Sequence, residues 1–131
     1  MPSKLHLALA LGASAALAGG GTAAIATTGA GPEAQAARTQ TVRLKASKTA
    51  LRFSTSRITV HRGQVRLRMS NPSGTAHAVA VKGHGVRKAG ATVGRGRTST
   101  VTVRLRKGTY TFYCPVPGHE QAGMKGTLVV R

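Results

Sequence analysis

Apolar and polar residues alternate at every second position through much of the chain after residue 40, which is the pattern of half-buried β-strands. In one such run, residues 64–70, Val65, Leu67 and Met69 would face a core and the arginines between them would face solvent. Runs of this type predict strands over residues 41–46, 50–53, 57–60, 64–70, 76–82, 98–106, 109–114 and 127–130. We find no convincing helical period of 3.6 residues in this region.

Turn-forming residues lie between these runs, at residues 61–63, 71–74, 107–108 and 117–118. Seven or eight short strands at this spacing predict an all-β domain, an antiparallel β-sandwich or Greek-key barrel. Residues 83–97 contain five glycines and four basic residues and are predicted to form a long loop.

The charge is strongly unbalanced, because twenty Lys and Arg residues face only two acidic residues, Glu33 and Glu120, for a formal charge of +18. Most basic residues of the alternating runs occupy outward positions, so the charge should coat the faces of the sandwich. Such a surface predicts attraction to something anionic: the acidic face of a partner protein, a membrane or wall polymer, or nucleic acid.

The first 36 residues differ from the rest and have the features of a secretory signal peptide. Lys4 precedes an apolar run over residues 5–18, and a stretch rich in Gly, Ala and Thr then leads to an A-x-A pattern. We predict cleavage after Ala36, an exported protein, and a single domain over residues 37–131. An uncleaved N-terminal anchor is the alternative. Cleavage removes Lys4 and Glu33 and leaves the formal charge at +18.

Cys114 is the only cysteine of the chain. A lone thiol in an exported protein cannot form an internal disulfide and tends to oxidise if it is left free. We therefore expect a ligand, such as a metal ion, to occupy it.

Cys114, His119 and Met124 form a C-x4-H-x4-M pattern in the segment between two predicted strands. A loop that leaves one strand and enters its neighbour can turn three side chains toward one point. A thiolate, an imidazole and a thioether suit copper in both oxidation states, whereas zinc more often takes four firm Cys, His or carboxylate ligands. A second imidazole is then required, and His77, after the turn at residues 71–74, is the best candidate.

Two segments, residues 71–77 (NPSGTAH) and 108–126 (GTYTFYCPVPGHEQAGMKG), resemble the plastocyanin/azurin family of cupredoxins, in particular its small, exported, single-domain bacterial members. The resemblance covers residues 42–131. It implies a Greek-key β-sandwich, one type 1 copper ion and one-electron transfer. It also implies that His77 and His119 are imidazole ligands, Cys114 the thiolate and Met124 the weak axial ligand.

The sequence departs from the family pattern in two places. Family members usually have Asn directly after the first His, where it helps to tie the two copper loops together, and this chain has Ala78. A supporting hydrogen bond is therefore expected to be missing. The Cys-to-His spacing is that of azurin and the His-to-Met spacing that of plastocyanin. His61 and His84 have no partners at ligand spacing and are predicted to be surface residues.

A copper ion held by these four ligands has no firm position open for a substrate, so we expect an electron carrier and not an enzyme. We expect this protein to be a monomer whose partner is an oxidase, a reductase or a cytochrome with an acidic docking face. Copper sequestration or delivery through the same ligands is an alternative. A third hypothesis is a basic module that binds an anionic cell-surface polymer or lipid. Nucleic acid is not expected, because the chain is exported and its four aromatic residues form no stacking platform.

Overall fold

The computed structural model describes Gly29, Gly31 and residues 38–131. The predicted signal peptide, residues 1–36, and its cleavage point after Ala36 lie outside the described residues, apart from the two glycines. The predicted domain is described from residue 38 onward. In this described part, no helix has the length and hydropathy that crossing a membrane requires.

The regular secondary structure of residues 38–131 consists of strands, as the alternating pattern predicts. Eight are present: β1 (Gln40–Lys45), β2 (Arg57–Val60), β3 (Gly63–Ser70), β4 (Ala80–Gly83), β5 (Val86–Ala89), β6 (Thr98–Leu105), β7 (Gly108–Tyr113) and β8 (Lys125–Val130). Six of the predicted runs coincide with strands to within two residues at either end.

The strands form two sheets, one in the order β1-β3-β6 and the other in the order β2-β8-β7-β4-β5. This confirms the all-β sandwich, but the sheets are mixed, since β1 pairs with β3 and β2 pairs with β8 in parallel. The chain passes from β1 to β2 in the other sheet before it returns as β3. Such an excursion brings a strand back in its original direction, and a local sequence pattern does not reveal it.

The core lies between the two sheets and consists of the inward residues of both. Val65, Leu67 and Met69 of β3 are completely buried, as the period of two predicts. They belong to one apolar cluster with Phe112 of β7 and Leu128 of β8. Each such side chain contributes about 2 kcal/mol by leaving water.

Gly126 leaves room for the completely buried ring of Phe112 on the neighbouring strand. It pairs with Phe112 across β7 and β8. A Cβ atom at Gly126 would lie 2.3 Å from Cζ and 2.6 Å from Cε1 of Phe112, and 2.7 Å from the carbonyl oxygen of Ser56. The Phe112 ring also packs against Phe53 at a centroid distance of 5.5 Å.

The prediction of a long loop over residues 83–97 is wrong in its first part, which contains β5. Strands β4 and β5 form a hairpin in which Gly83 pairs with Val86. The two turn residues, His84 and Gly85, have φ angles of 47° and 77°, the positive values that a type I′ turn needs. The alternation is weak in β5 because it is an edge strand with three exposed residues.

The strand predicted at residues 50–53 is absent from the structure. Ser47 accepts hydrogen bonds from the amides of Thr49 and Ala50 through its side-chain oxygen, both at 3.3 Å, and these bonds hold a turn. Of the predicted run, only Phe53 forms a bridge, with Ala46. A hydroxyl that binds nearby amides competes with strand pairing in this way.

The strand predicted at residues 76–82 begins only at Ala80. The amide of Ala78 points to the sulfur of Cys114 at 3.5 Å, and that of Val79 donates to the hydroxyl of buried Ser99 at 3.2 Å. His77 forms an isolated bridge with Val93. Side-chain acceptors therefore replace the regular ladder next to His77.

Candidate metal centre

The topology brings the candidate ligands to one end of the sandwich. Tyr113, the last residue of β7, pairs with Ala80 at the start of β4 and with Lys125 at the start of β8. His77 lies three residues before β4, Cys114 follows β7 directly, and Met124 directly precedes β8. Antiparallel pairing therefore places all of these positions, and the loop that carries His119, at the same end of the sandwich.

His77, Cys114 and His119 converge on one point. The two Nδ1 atoms are 3.2 Å apart, and Sγ of Cys114 lies 3.5 Å from Nδ1 of His119 and 3.9 Å from Nδ1 of His77. The potential ligand atoms of the three residues all lie within 4.8 Å of one another. This is the one group of three or more metal-binding side chains found in the described residues.

Of the four candidate ligands, only His119 is in contact with water. His77, Cys114 and Met124 are buried, with exposed fractions of 1%, 0% and 0%, and His119 is half-buried. Burial, with a smaller contribution from the charge of His119, lowers the pKa of His77 below its usual value. A neutral imidazole keeps the lone pair that a metal ion requires.

The loop between β7 and β8 is held by its own backbone. The amide of Cys114 donates to the carbonyl of Met124 and the amide of Met124 to the carbonyl of His119, each at 3.0 Å. A third bond of 3.0 Å joins the amide of His119 to the carbonyl of Val116. These bonds connect all three ligand candidates of the loop, so their spacing does not depend on a bound ion.

Ala78 supports the ligand group only through its backbone. Its backbone amide donates toward the Cys114 sulfur, but its methyl group makes no polar link between the two ligand segments. Another connection is present: the ammonium of Lys82, on β4, forms an ion pair with Glu120, next to His119. The Nζ atom of Lys82 also lies 4.5 Å from the centroid of the Tyr113 ring, a cation–π contact.

The segment before His77 is fixed by Asn71, whose role the sequence analysis missed. Its buried amide nitrogen donates to the carbonyls of Thr75 at 2.8 Å and Val93 at 2.9 Å. Its Oδ1 accepts from the amide and the hydroxyl of Ser73, at 3.0 and 2.8 Å. The Val93 carbonyl also accepts the amide of His77, so Asn71 positions the backbone that carries this ligand.

Replacing Asn71 by Ala is expected to lower the free energy of unfolding by about 2 kcal/mol, because the four hydrogen bonds of its buried side chain are lost. Urea unfolding of the metal-free protein measures the change. Gln121→Ala removes an exposed amide at the same end of the molecule and should change the stability by less than about 0.5 kcal/mol. Equal stabilities of the Asn71→Ala variant and the parent would contradict this role.

His61 and His84 are exposed, as predicted for surface residues. The ring of His84 packs against Tyr110 at a centroid distance of 5.0 Å, away from the ligand group. The amide of His61 is bonded to the side chain of Gln40 at 2.8 Å.

The donors fit copper. Two neutral imidazoles and a thiolate, with a thioether as a weak fourth ligand, are the set of blue-copper electron-transfer sites, and Met is a poor fourth ligand for zinc. The Cys114 sulfur is buried and accepts a hydrogen bond from the Ala78 amide at 3.5 Å. The fold and the arrangement of His77, Cys114, His119 and Met124 are those of a type 1 copper protein.

Comparison with known proteins agrees with this class. The sequence profile described as "Copper binding proteins, plastocyanin/azurin family" matches residues 40–131. The chain belongs to this family, and the predicted copper cofactor is confirmed. No individual curated protein sequence matches significantly.

Solved structures of auracyanins are similar to the chain. Auracyanin B has a TM-score of 0.63 at 29% identity, over 70% of this chain and 88% of that one. Auracyanin A, a "blue" copper protein from Chloroflexus aurantiacus, has 0.63 at 23%, over 72% and 100%. The dithionite-reduced auracyanin of Roseiflexus castenholzii has 0.62 at 22%, over 70% and 97%.

Proposed function

We propose that this protein holds one copper ion through His77, Cys114, His119 and Met124 and carries single electrons between redox partners outside the cytoplasm. The observation that carries the proposal is the convergence of three donor atoms, all within 4.8 Å, in a buried site at the end of the sandwich. Bound copper supplies a one-electron Cu(I)/Cu(II) couple.

The residues around the site favour a carrier over an enzyme. His77, Cys114 and Met124 are buried, so neither water nor a substrate has a direct path to a ligand position between them. The loop bonds hold Cys114, His119 and Met124 at constant spacing. A site that changes little between its two redox states suits rapid electron exchange.

His119 is the ligand through which we expect electrons to enter and leave, because it is the partly exposed member of the set. Half-buried Pro115 and Val116 and exposed Pro117 and Ala122 lie in the same loop. They supply an apolar contact surface at which a partner can exclude water. The physiological partner we propose is an oxidase, a reductase or a cytochrome with an acidic docking face. We propose that this chain binds it as a monomer.

The visible spectrum and the voltammetry of the purified Cu(II) protein test this function. A strong thiolate-to-copper absorption and a reversible one-electron wave, with copper retained over many cycles, are expected. A colourless protein with tightly bound zinc would overturn the proposal. Loss of copper to an acceptor protein in each cycle would favour copper delivery instead.

The positive charge predicts a marked effect of salt on electron transfer. Oxidation of the reduced protein by anionic ferricyanide should slow by about tenfold between 0.01 and 0.15 M salt, because the screening length falls from about 30 to about 8 Å. Oxidation by the cationic tris(phenanthroline)cobalt(III) should become faster over the same range. Stopped-flow absorbance measures both rates, and rates that do not depend on salt would contradict the prediction.

A further inference from the structure

The outward face of the sheet β1-β3-β6 carries five exposed cations, which we call the basic stripe. Its members are Lys45, Arg43, Arg68, Arg66 and Arg104. Every other outward residue of the three strands is polar and uncharged: Thr41, Gln64, Ser70, Thr98, Thr100 and Thr102.

The strand register places the five cations of the basic stripe in a diagonal line across the sheet. Lys45 and Arg43 lie two residues apart on β1, Arg43 is directly opposite Arg68, and Arg66 lies two residues further along β3. Arg104 is diagonal to Arg66, since Thr102 is its direct partner. Each step measures about 5 to 8 Å. The cations therefore form one line from the copper end of the sheet toward its far end.

Nothing in the described part of the chain neutralises this line. Glu120 is the only acidic residue among residues 38–131, and its partner is Lys82 of the other sheet. Arg43 and Arg68 stand directly opposite each other, a pairing of like charges that destabilises a sheet. A bound polyanion would convert this cost into favourable interactions.

The surface beside the stripe is concave and rich in hydrogen-bond donors. A groove of about 520 Å³ is lined by Leu44 and by six polar or charged residues: Arg43, Lys45, Arg68, Ser54, Ser70 and Thr98. Four members of the stripe are arginines, whose planar forks bind phosphate with two parallel hydrogen bonds. Neighbouring hydroxyls can donate to the remaining phosphate oxygens.

We infer that the basic stripe binds a linear phosphodiester polymer without nucleobases, which follows the diagonal line of the five cations. An extended chain covers about 3.5 Å for every three backbone bonds, so a polyol phosphate with one phosphodiester per six bonds repeats its charge about every 7 Å. This repeat matches the steps of the stripe. The binding surface is separate from the copper centre and does not depend on its function.

The outward residues of this face argue against two other anionic partners, single-stranded nucleic acid and a membrane surface. Single-stranded nucleic acid binds strongly where aromatic side chains stack on its bases, and the outward residues of these strands include no aromatic residue. A membrane-surface segment inserts apolar side chains between the lipids, and every outward residue here is polar.

The test compares two variants of the full chain that lose the same charge. The stripe variant carries Arg43→Gln, Arg66→Gln and Arg68→Gln. The control variant carries Arg57→Gln, Lys88→Gln and Lys107→Gln, three exposed cations outside the sheet β1-β3-β6. Binding to synthetic poly(glycerol phosphate) is measured by titration calorimetry at several salt concentrations. Oligo(dT), poly-L-glutamate and phosphatidylglycerol vesicles are the comparison probes.

The stripe variant should bind poly(glycerol phosphate) at least about tenfold more weakly than the control variant. The slope of log K against log salt should also fall by about 2, as the loss of three phosphate contacts requires. Equal weakening in both variants would overturn the proposal, since it would show an effect of net charge alone. Tighter, stripe-dependent binding of oligo(dT), poly-L-glutamate or the vesicles would overturn the assigned polymer class.

Discussion

Replacing Cys114 by Ser should abolish the intense visible absorption of the Cu(II) protein and weaken copper binding by at least about a hundredfold. The absorption arises from charge transfer between thiolate and copper, and a hydroxyl is a much poorer ligand for this ion. Even residues that only support a ligand change metal affinity by about 10- to 100-fold. Absorption spectroscopy and competitive copper titration measure the two effects.

The Cys114→Ser variant should keep its fold, because serine is similar in shape and the loop is held by backbone hydrogen bonds. Circular dichroism of the metal-free variant checks this point. A His84→Ala variant is the control, since His84 is exposed and outside the ligand group, and it should keep the full absorption. Cys114→Ser should also bind poly(glycerol phosphate) as the parent does, which would separate the two functions. A Cys114→Ser protein that retained the intense band would disprove thiolate ligation.

Gly126→Ala is expected to lower the free energy of unfolding by about 3 kcal/mol or more. Its new methyl group would lie 2.3 Å from the ring of Phe112 and 2.7 Å from a backbone oxygen, and Phe112 is completely buried and packed against Phe53. This is a large part of the 5 to 15 kcal/mol that stabilises a typical domain. Urea unfolding followed by circular dichroism measures the loss.

Gly94→Ala is the matched control for this substitution. A Cβ atom at Gly94 meets nothing within 4 Å, so the stability should change by less than about 0.5 kcal/mol. If both variants were equally stable, the close packing of Phe112 against β8 would not be a determinant of the fold.

The parts of the fold that sequence predicts well are those in which one face of a strand is buried. In β3 and β6 the inward positions are apolar except for Ser99, and the predicted runs agree with the strands. Edge strand β5 has only Val86 partly buried, so its pattern carries little information and its place depends on the turn at His84 and Gly85. The parallel pairs depend on the path between sheets, which no local period encodes.

The copper centre was predictable because loop spacing restricts Cys114, His119 and Met124, and because His77 follows the turn at residues 71–74 and also matches the family pattern. The supporting contacts were not, since they join residues far apart in sequence. Asn71 was recognised only as a turn residue, although its amide reaches Val93. Glu120 offered a signal that was overlooked: it is the only acidic residue of the domain and directly follows a ligand candidate.

The open edges of both sheets have a consequence for the behaviour of the protein at high concentration. Edge strands present unpaired backbone groups that can join the strands of another molecule and begin aggregation. Here β1 and β6 border one sheet and β2 and β5 the other, and each carries at least one exposed cation: Arg43 and Lys45, Arg104, Arg57, and Arg87 and Lys88. Mutual repulsion should prevent the edges of two molecules from meeting at low salt. Added salt or a polyanion would weaken this protection.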